Sequence, residues 1–323
     1  MTDPNPQSVV RDAVTAADRA ASVAGVRIRE LHELTEMREA CLLLDRVWRP
    51  EPDNPLMTPE LLRVVAHSGS YAVGAYEDGR MVGACLGFLA TAGLHSHIAA
   101  VEGVTRGRNV GFAIKLHQRA WSLERGITTV TWTYDPLVGR NAYFNLAKLG
   151  ATPAEYLSNF YGAMRDEVNA GTETDRLLVH WELAGKRTAR ACAGQPAAVD
   201  LAGLGAEPVV GLDAKPDGRP VAGRGDGEVV LVRVPSDIEA LRRADPEAAR
   251  DWRSAVREVL GGLMSEGRAV TGFIRDGWYV IERPQEAQEG RSCCISPGDN
   301  PRTPGRTSRS AGRPAPPTGG EFR

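Results

Sequence analysis

Cysteine is scarce and scattered: Cys41, Cys85, Cys192, Cys293 and Cys294 are odd in number and share no metal-type spacing. That pattern argues against a disulfide framework or a zinc cluster, and it predicts reduced thiols in a cytoplasmic setting. Aromatic residues make up only 6% of the chain, and no apolar run approaches the ~20 residues of a membrane span. An excess of either charge is missing as well, since 39 Lys and Arg face 41 Asp and Glu. Without a basic footprint, neither nucleic acid nor an anionic membrane is an expected partner. The opening residues lack a basic segment followed by an apolar core, so a secretory signal is not expected.

At 323 residues the chain is long enough for two domains, or for one with appendages. Residues 1–25 are alanine-rich and weakly patterned, which predicts a flexible N-terminal arm. A first strand is expected at Val26 to Leu31. A helix over Glu36 to Trp48 places Met37, Cys41, Leu44 and Trp48 on one face. Thr58-Pro59 supplies an N-cap and a first-turn proline for a second helix. Asp78-Gly79 between two strand-like runs predicts a hairpin. Strands follow at Ile127 to Tyr134, Tyr156 to Tyr161 and Leu177 to Leu183, with a helix from Arg140 to Leu149 that stops at Gly150. Residues 185–227, rich in Ala, Gly and Pro, predict a linker. Residues 228–283 predict a small β-α-β-β module and residues 284–323 a disordered tail.

The organising stretch lies between His97 and Gly126. A strand, His97 to Val101, is followed by the turn Arg106-Gly107-Arg108-Asn109-Val110-Gly111 and then by an amphipathic helix. Its periodicity puts Phe112, Leu116, Ala120 and Leu123 on the buried face, with Lys115, Gln118 and Arg119 nearer solvent. A helix that starts straight after such a turn aims its unpaired N–H groups and the positive end of its dipole into one small volume. That volume suits a phosphate or pyrophosphate.

This stretch resembles the acyl-CoA signature of the GNAT superfamily of N-acyltransferases, Gln/Arg-x-x-Gly-x-Gly/Ala. Aligned on the Arg-Gly-Arg stem the motif runs from Arg106 to Gly111, with Asn109 in place of the first motif glycine. A one-turn shift, Arg108-x-x-Gly111-x-Ala113, fits the letters too. The element order β-α-α-β-β-β-α-β-α-β-β over residues 26–184 is that of the same family. Further stretches, Thr131-Trp132-Thr133-Tyr134-Asp135-Pro136-Leu137 among them, are similar to a subgroup of predicted acetyltransferases.

The resemblance implies an α/β (α+β) fold with a mixed, mostly antiparallel sheet flanked by helices. It implies an acyl-CoA co-substrate such as acetyl-CoA, and no metal. The thioester arm would run along Ala99, Ala100 and Val101; Arg106, Gly107, Arg108, Asn109, Val110, Gly111 and Asn141 would contact CoA. The acceptor would be the amine of a small metabolite, an amino acid or a related compound, and the protein a monomer or homodimer. Such an amine must be neutral to attack; at pH 7 an α-amine is about one-tenth neutral and a lysine-like amine far less. A general base is therefore expected, with His97, Glu102 and Asp135 as candidates. His95 and His97 share a strand face, which invites a metal, but the sequence offers no third ligand. In the family a tyrosine four residues before the helix-ending glycine protonates the leaving thiolate. Here that position is Leu146, and Tyr143 lies one helical step earlier. A CoA thiol, with a pKa near ~8.5, leaves with little help. The alternative is a non-catalytic acyl-CoA-binding or partner-binding protein that keeps the fold.

Overall fold

Asn5 Oδ1 accepts the Gln7 N–H at 3.0 Å, Pro6 fills the first turn, and Gly25 (φ 68°) closes the helix α1 (Pro6–Ala24). A computed structural model describes residues 5–51, 54–105, 107–162 and 173–283 of the chain. The stretch expected as a flexible arm is thus a capped helix from residue 6. Ala13, Ala17 and Ala24 are buried, and α1 lies along the later helix Val110–Glu124. Small side chains permit that close approach, and they are why the stretch looked weakly patterned.

After α1 come β1 (Arg27–Glu30), α2 (Leu34–Trp48), α3 (Pro59–His67), β2 (Tyr71–Glu77), β3 (Arg80–Ala90) and β4 (Gly93–Val101). Glu36 Oε2 accepts the N–H groups of His32 and Glu33 at the start of α2, and Thr58 Oγ1 accepts from Leu61 at that of α3. Then follow α4 (Val110–Glu124), β5 (Thr129–Tyr134), α5 (Gly139–Ala142), β6 (Thr152–Leu157) and β7 (Arg176–Glu182). Beyond Ala142 the α5 helix widens into i→i+5 bonding over Tyr143–Lys148. From β1 to β7 the element order is the expected one. The seven strands form one mixed sheet in the order β1-β2-β3-β4-β5-β7-β6, antiparallel throughout except for the parallel pair β4 and β5.

Each face of that sheet carries its own core. One holds Leu31, Met37, Leu43, Leu44, Leu62 and Leu86 beneath α2 and α3. The other holds Tyr71, Cys85, Ile114, Leu116, Trp132 and Trp181 beneath α4 and α5.

The stretch 185–227, expected as a linker, contains α6 (Lys186–Cys192), β8 (Val209–Ala214) and β9 (Pro220–Ala222). Its glycines mark close packing: a Cβ on Gly211 would lie 2.6 Å from Val230 Cγ1. These strands join β10 (Val229–Arg233), β11 (Ala269–Ile274) and β12 (Trp278–Glu282) in a five-stranded sheet ordered β11-β12-β10-β8-β9. Helices α7 (Ile238–Ala244), α8 (Pro246–Val256) and α9 (Gly262–Ser265) lie between β10 and β11 in the chain. Arg187 fastens this part to the first sheet, donating to Thr271 O at 3.0 Å and Leu146 O at 3.3 Å. The expected tail, residues 284–323, lies outside the described residues. Among the described residues no helix is long and apolar enough to cross a membrane.

Candidate functional site

The parallel ladder between β4 and β5 consists of two pairs, Leu94 with Val130 and His95 with Thr131. Beyond them the strands part, which leaves Ser96–Val101 of β4 without a ladder partner on that side. Two local features drive the separation. In the β3–β4 ladder Leu86 opposes Ile98 while Gly87 opposes Ser96, so His97 is an extra residue and β4 bends there. At the closed end Gly93 lies so near Thr129 O that no side chain fits, which holds the strand bases together.

At the open end of the fork the chain tightens. The Glu102 N–H reaches Val82 O at 2.9 Å, and Thr105 donates both its N–H (3.0 Å) and its Oγ1 (2.8 Å) to Glu102 O. Gly107 (φ 85°) and Asn109 (φ 62°) take left-handed conformations. Asparagine therefore keeps the turn in which the motif has glycine. Asn109 O accepts the Ala113 N–H at 3.0 Å, and the N–H groups of Val110, Gly111 and Phe112 precede the first intrahelical bond. A Cβ on Gly111 would meet only Val101 Cγ2, at 3.8 Å, so the helix start faces the end of β4. Lys148 Nζ donates to Asn109 Oδ1 at 3.1 Å and adds a positive charge beside the bend.

The expected phosphate-binding arginines behave differently. Arg108 points to Glu77 Oε1 (2.6 Å) and Ala24 O (3.2 Å), and its N–H bonds Thr105 O, so neither its charge nor its amide is offered to the turn. The ordered α1 explains this, because its C-terminus supplies one of the acceptors. Arg106 lies outside the described residues.

The base candidates separate clearly. His97, at the bend of β4, presents its ring beside Phe88 with centroids 5.3 Å apart. Desolvation lowers its pKa, which favours the neutral ring. His95 Nδ1 is bonded to Thr131 Oγ1 at 3.0 Å, and its pKa is lowered by burial first and then by neighbouring positive charge. Glu102 is held by Arg46 (3.0 Å) and Arg80 where β4 ends. Asp135 is buried among arginines: Arg253 donates to both its oxygens at 2.8 Å and Arg242 to Oδ2 at 2.5 Å. Burial raises a carboxyl pKa, but these guanidiniums overcome it and hold Asp135 well below the usual range. With its lone pairs so engaged, Asp135 is an anchor between the two sheets and is unsuited to proton transfer. Among the described residues no group of three His, Cys, Asp or Glu is placed to hold a metal.

On α5 and its continuation, Asn141 is exposed and Leu146 buried, while the Tyr143 ring lies 5.6 Å from Arg275 Cζ. Lys115, Gln118 and Arg119, expected nearer solvent, are all buried. The outer face of α4 is covered by α1, so its polar residues point inward or sideways. Lys115 Nζ donates to Gln118 Oε1 at 2.8 Å and Ser96 Oγ at 3.1 Å, and lies 3.7 Å from the Trp132 ring centroid. Burial lowers its pKa to about 8, partly opposed by Cys85. The inward turn of Lys115 had no sequence signal, since it depends on a helix read as a flexible arm.

No family model matches the chain, and no curated protein matches it. Among solved structures, the ribosomal-protein-S18-alanine N-acetyltransferase from Escherichia coli is 16% identical, with a TM-score of 0.40 over 50% of this chain and 97% of that one. An N-acetyltransferase from Staphylococcus aureus Mu50 is 12% identical, with a TM-score of 0.42 over 49% and 98%. An acetyltransferase of the GNAT family from Streptococcus pneumoniae is 15% identical, with a TM-score of 0.39 over 48% and 98%.

Proposed function

We propose that the chain is a GNAT-type N-acyltransferase that moves an acyl group from CoA to the amine of a small metabolite. The observation that carries this reading is the fork: a parallel strand pair that separates after His95 and Thr131, with the α4 N-terminus at its open end. The amides of Val110, Gly111 and Phe112 suit a diphosphate, and Lys148 adds charge there. The free edge of β4 suits the amide-rich thioester arm, which pairs with it as a short pseudo-strand.

The acceptor nitrogen attacks the thioester carbonyl carbon; the C–N bond forms, the C–S bond breaks, and the electron pair leaves with sulfur. His97 takes the proton lost by the amine, and the thiolate leaves as such or gains a proton from Tyr143 or water. Backbone N–H groups along the free edge polarise the carbonyl, an effect typically worth a few kcal/mol in the transition state. Asn141 is assigned to a CoA contact, and the acceptor, an amino acid or related metabolite, to the β4 face that carries His97.

A second reading is a binding protein without turnover. It draws on Leu146 at the position of the expected acid and on the diversion of Arg108 to Glu77. Thiol release from acyl-CoA with a panel of amines, run beside a calorimetric CoA titration, separates the two. Amine-dependent thiol release supports the transferase; CoA binding with no release on any amine supports the second reading.

A further inference from the structure

Lys115 has no part in the transfer steps above, yet its ammonium sits at the apex of the fork. It bonds Ser96 Oγ and stacks on Trp132, and these are the first residues on β4 and β5 beyond the last ladder pair. The ammonium therefore bridges the two strands where they part.

Its surroundings are neutral. Two N–H groups reach the Ser96 hydroxyl and the Gln118 amide oxygen, the Trp132 and Trp181 ring centroids lie at 3.7 and 5.8 Å, and Cys85 bonds Ser96 and Gln118. No carboxylate of the described residues pairs with it. A buried cation without an opposite charge is costly, and methionine would fill the same slot without that cost. The charge is accounted for if an anion arrives with the ligand.

The path of the ligand says which part of it arrives there. Val101 to Ser96 spans five residue steps, or ~17 Å of strand. A thioester arm that enters at the Gly111 end and follows this edge delivers its acyl group to the apex. Building on the acyltransferase reading, we propose that the acyl group ends in a carboxylate, as in the CoA thioester of a short dicarboxylic acid, and that Lys115 pairs with it.

The test is calorimetric titration of the full chain with succinyl-CoA, butyryl-CoA and free CoA. Succinyl-CoA is expected to bind at least about tenfold more tightly than butyryl-CoA, with the ratio falling to near one in Lys115→Met. Equal binding of the two thioesters by the native chain, or an unchanged ratio in the variant, overturns this assignment and leaves the acyltransferase reading standing. Failure of all three ligands to bind overturns both. Should Lys115→Met not fold, the ratio measured on the native chain decides alone.

Discussion

Arg253 on α8 grips both oxygens of Asp135, 118 positions earlier in the chain, at 2.8 Å each. The pair, joined by Arg242, is buried where β5 ends and ties the first sheet to the helices of the second. Asp135→Ala should lower unfolding stability by about 3–5 kcal/mol, because it strands buried guanidiniums. The native carboxyl has a pKa below that of the unfolded chain, so its contribution is present above pH ~4 and fades as pH falls below that. Urea unfolding from pH 7 to pH 3, on native and variant chains, measures both effects.

Gly111→Asp should abolish CoA binding while leaving the fold intact. The new Cβ meets only Val101 at an ordinary van der Waals distance, so folding survives, and a carboxylate at the helix start repels a diphosphate. A loss of at least about a hundredfold in affinity is expected from a like charge in that position. Calorimetry gives the affinity, and circular dichroism checks the fold.

A base at His97 makes rate depend on pH in a defined direction. The neutral imidazole is the active form, so kcat/KM should rise with pH through a value below the ordinary histidine pKa of about 6.5. His97→Gln should lose that rise and about 10²–10⁴-fold in rate. An unchanged profile in the variant assigns the base elsewhere.

Lys115 predicts an effect of the same sense as that of Asp135, stability rising with pH, but in the alkaline range. With a folded pKa of about 8, below the ~10.5 of the unfolded chain, the unfolded state binds the extra proton between those values. Stability therefore gains up to about 3 kcal/mol as pH rises from 8 to 10.5, relative to Lys115→Met. Denaturant midpoints of the two chains across that interval report the difference.

Local signals made the first sheet legible. Thr58-Pro59, Asp78-Gly79 and Gly150 each punctuate the chain where the structure has a cap, a turn or a stop, and the bend at Gly107–Asn109 lies where the motif put it. Long-range contacts were not legible. Nothing near Arg108 indicates that Glu77 and Ala24 will claim it, and nothing near Asp135 announces guanidiniums from residues 242 and 253. The linker expectation over 185–227 treated glycine as looseness, where Gly211 and Gly223 are small because neighbouring strands press on them. Alanine misled in the same way in α1.

The clamp on Asp135 also bears on how the molecule can be dissected. A chain stopped after residue 184 retains every strand of the larger sheet but drops the guanidiniums of Arg242 and Arg253, which leaves Asp135 with Arg176, 3.9 Å away, as its remaining counter-charge. Separating the two sheets therefore strips residue 135 of two buried counter-charges at once.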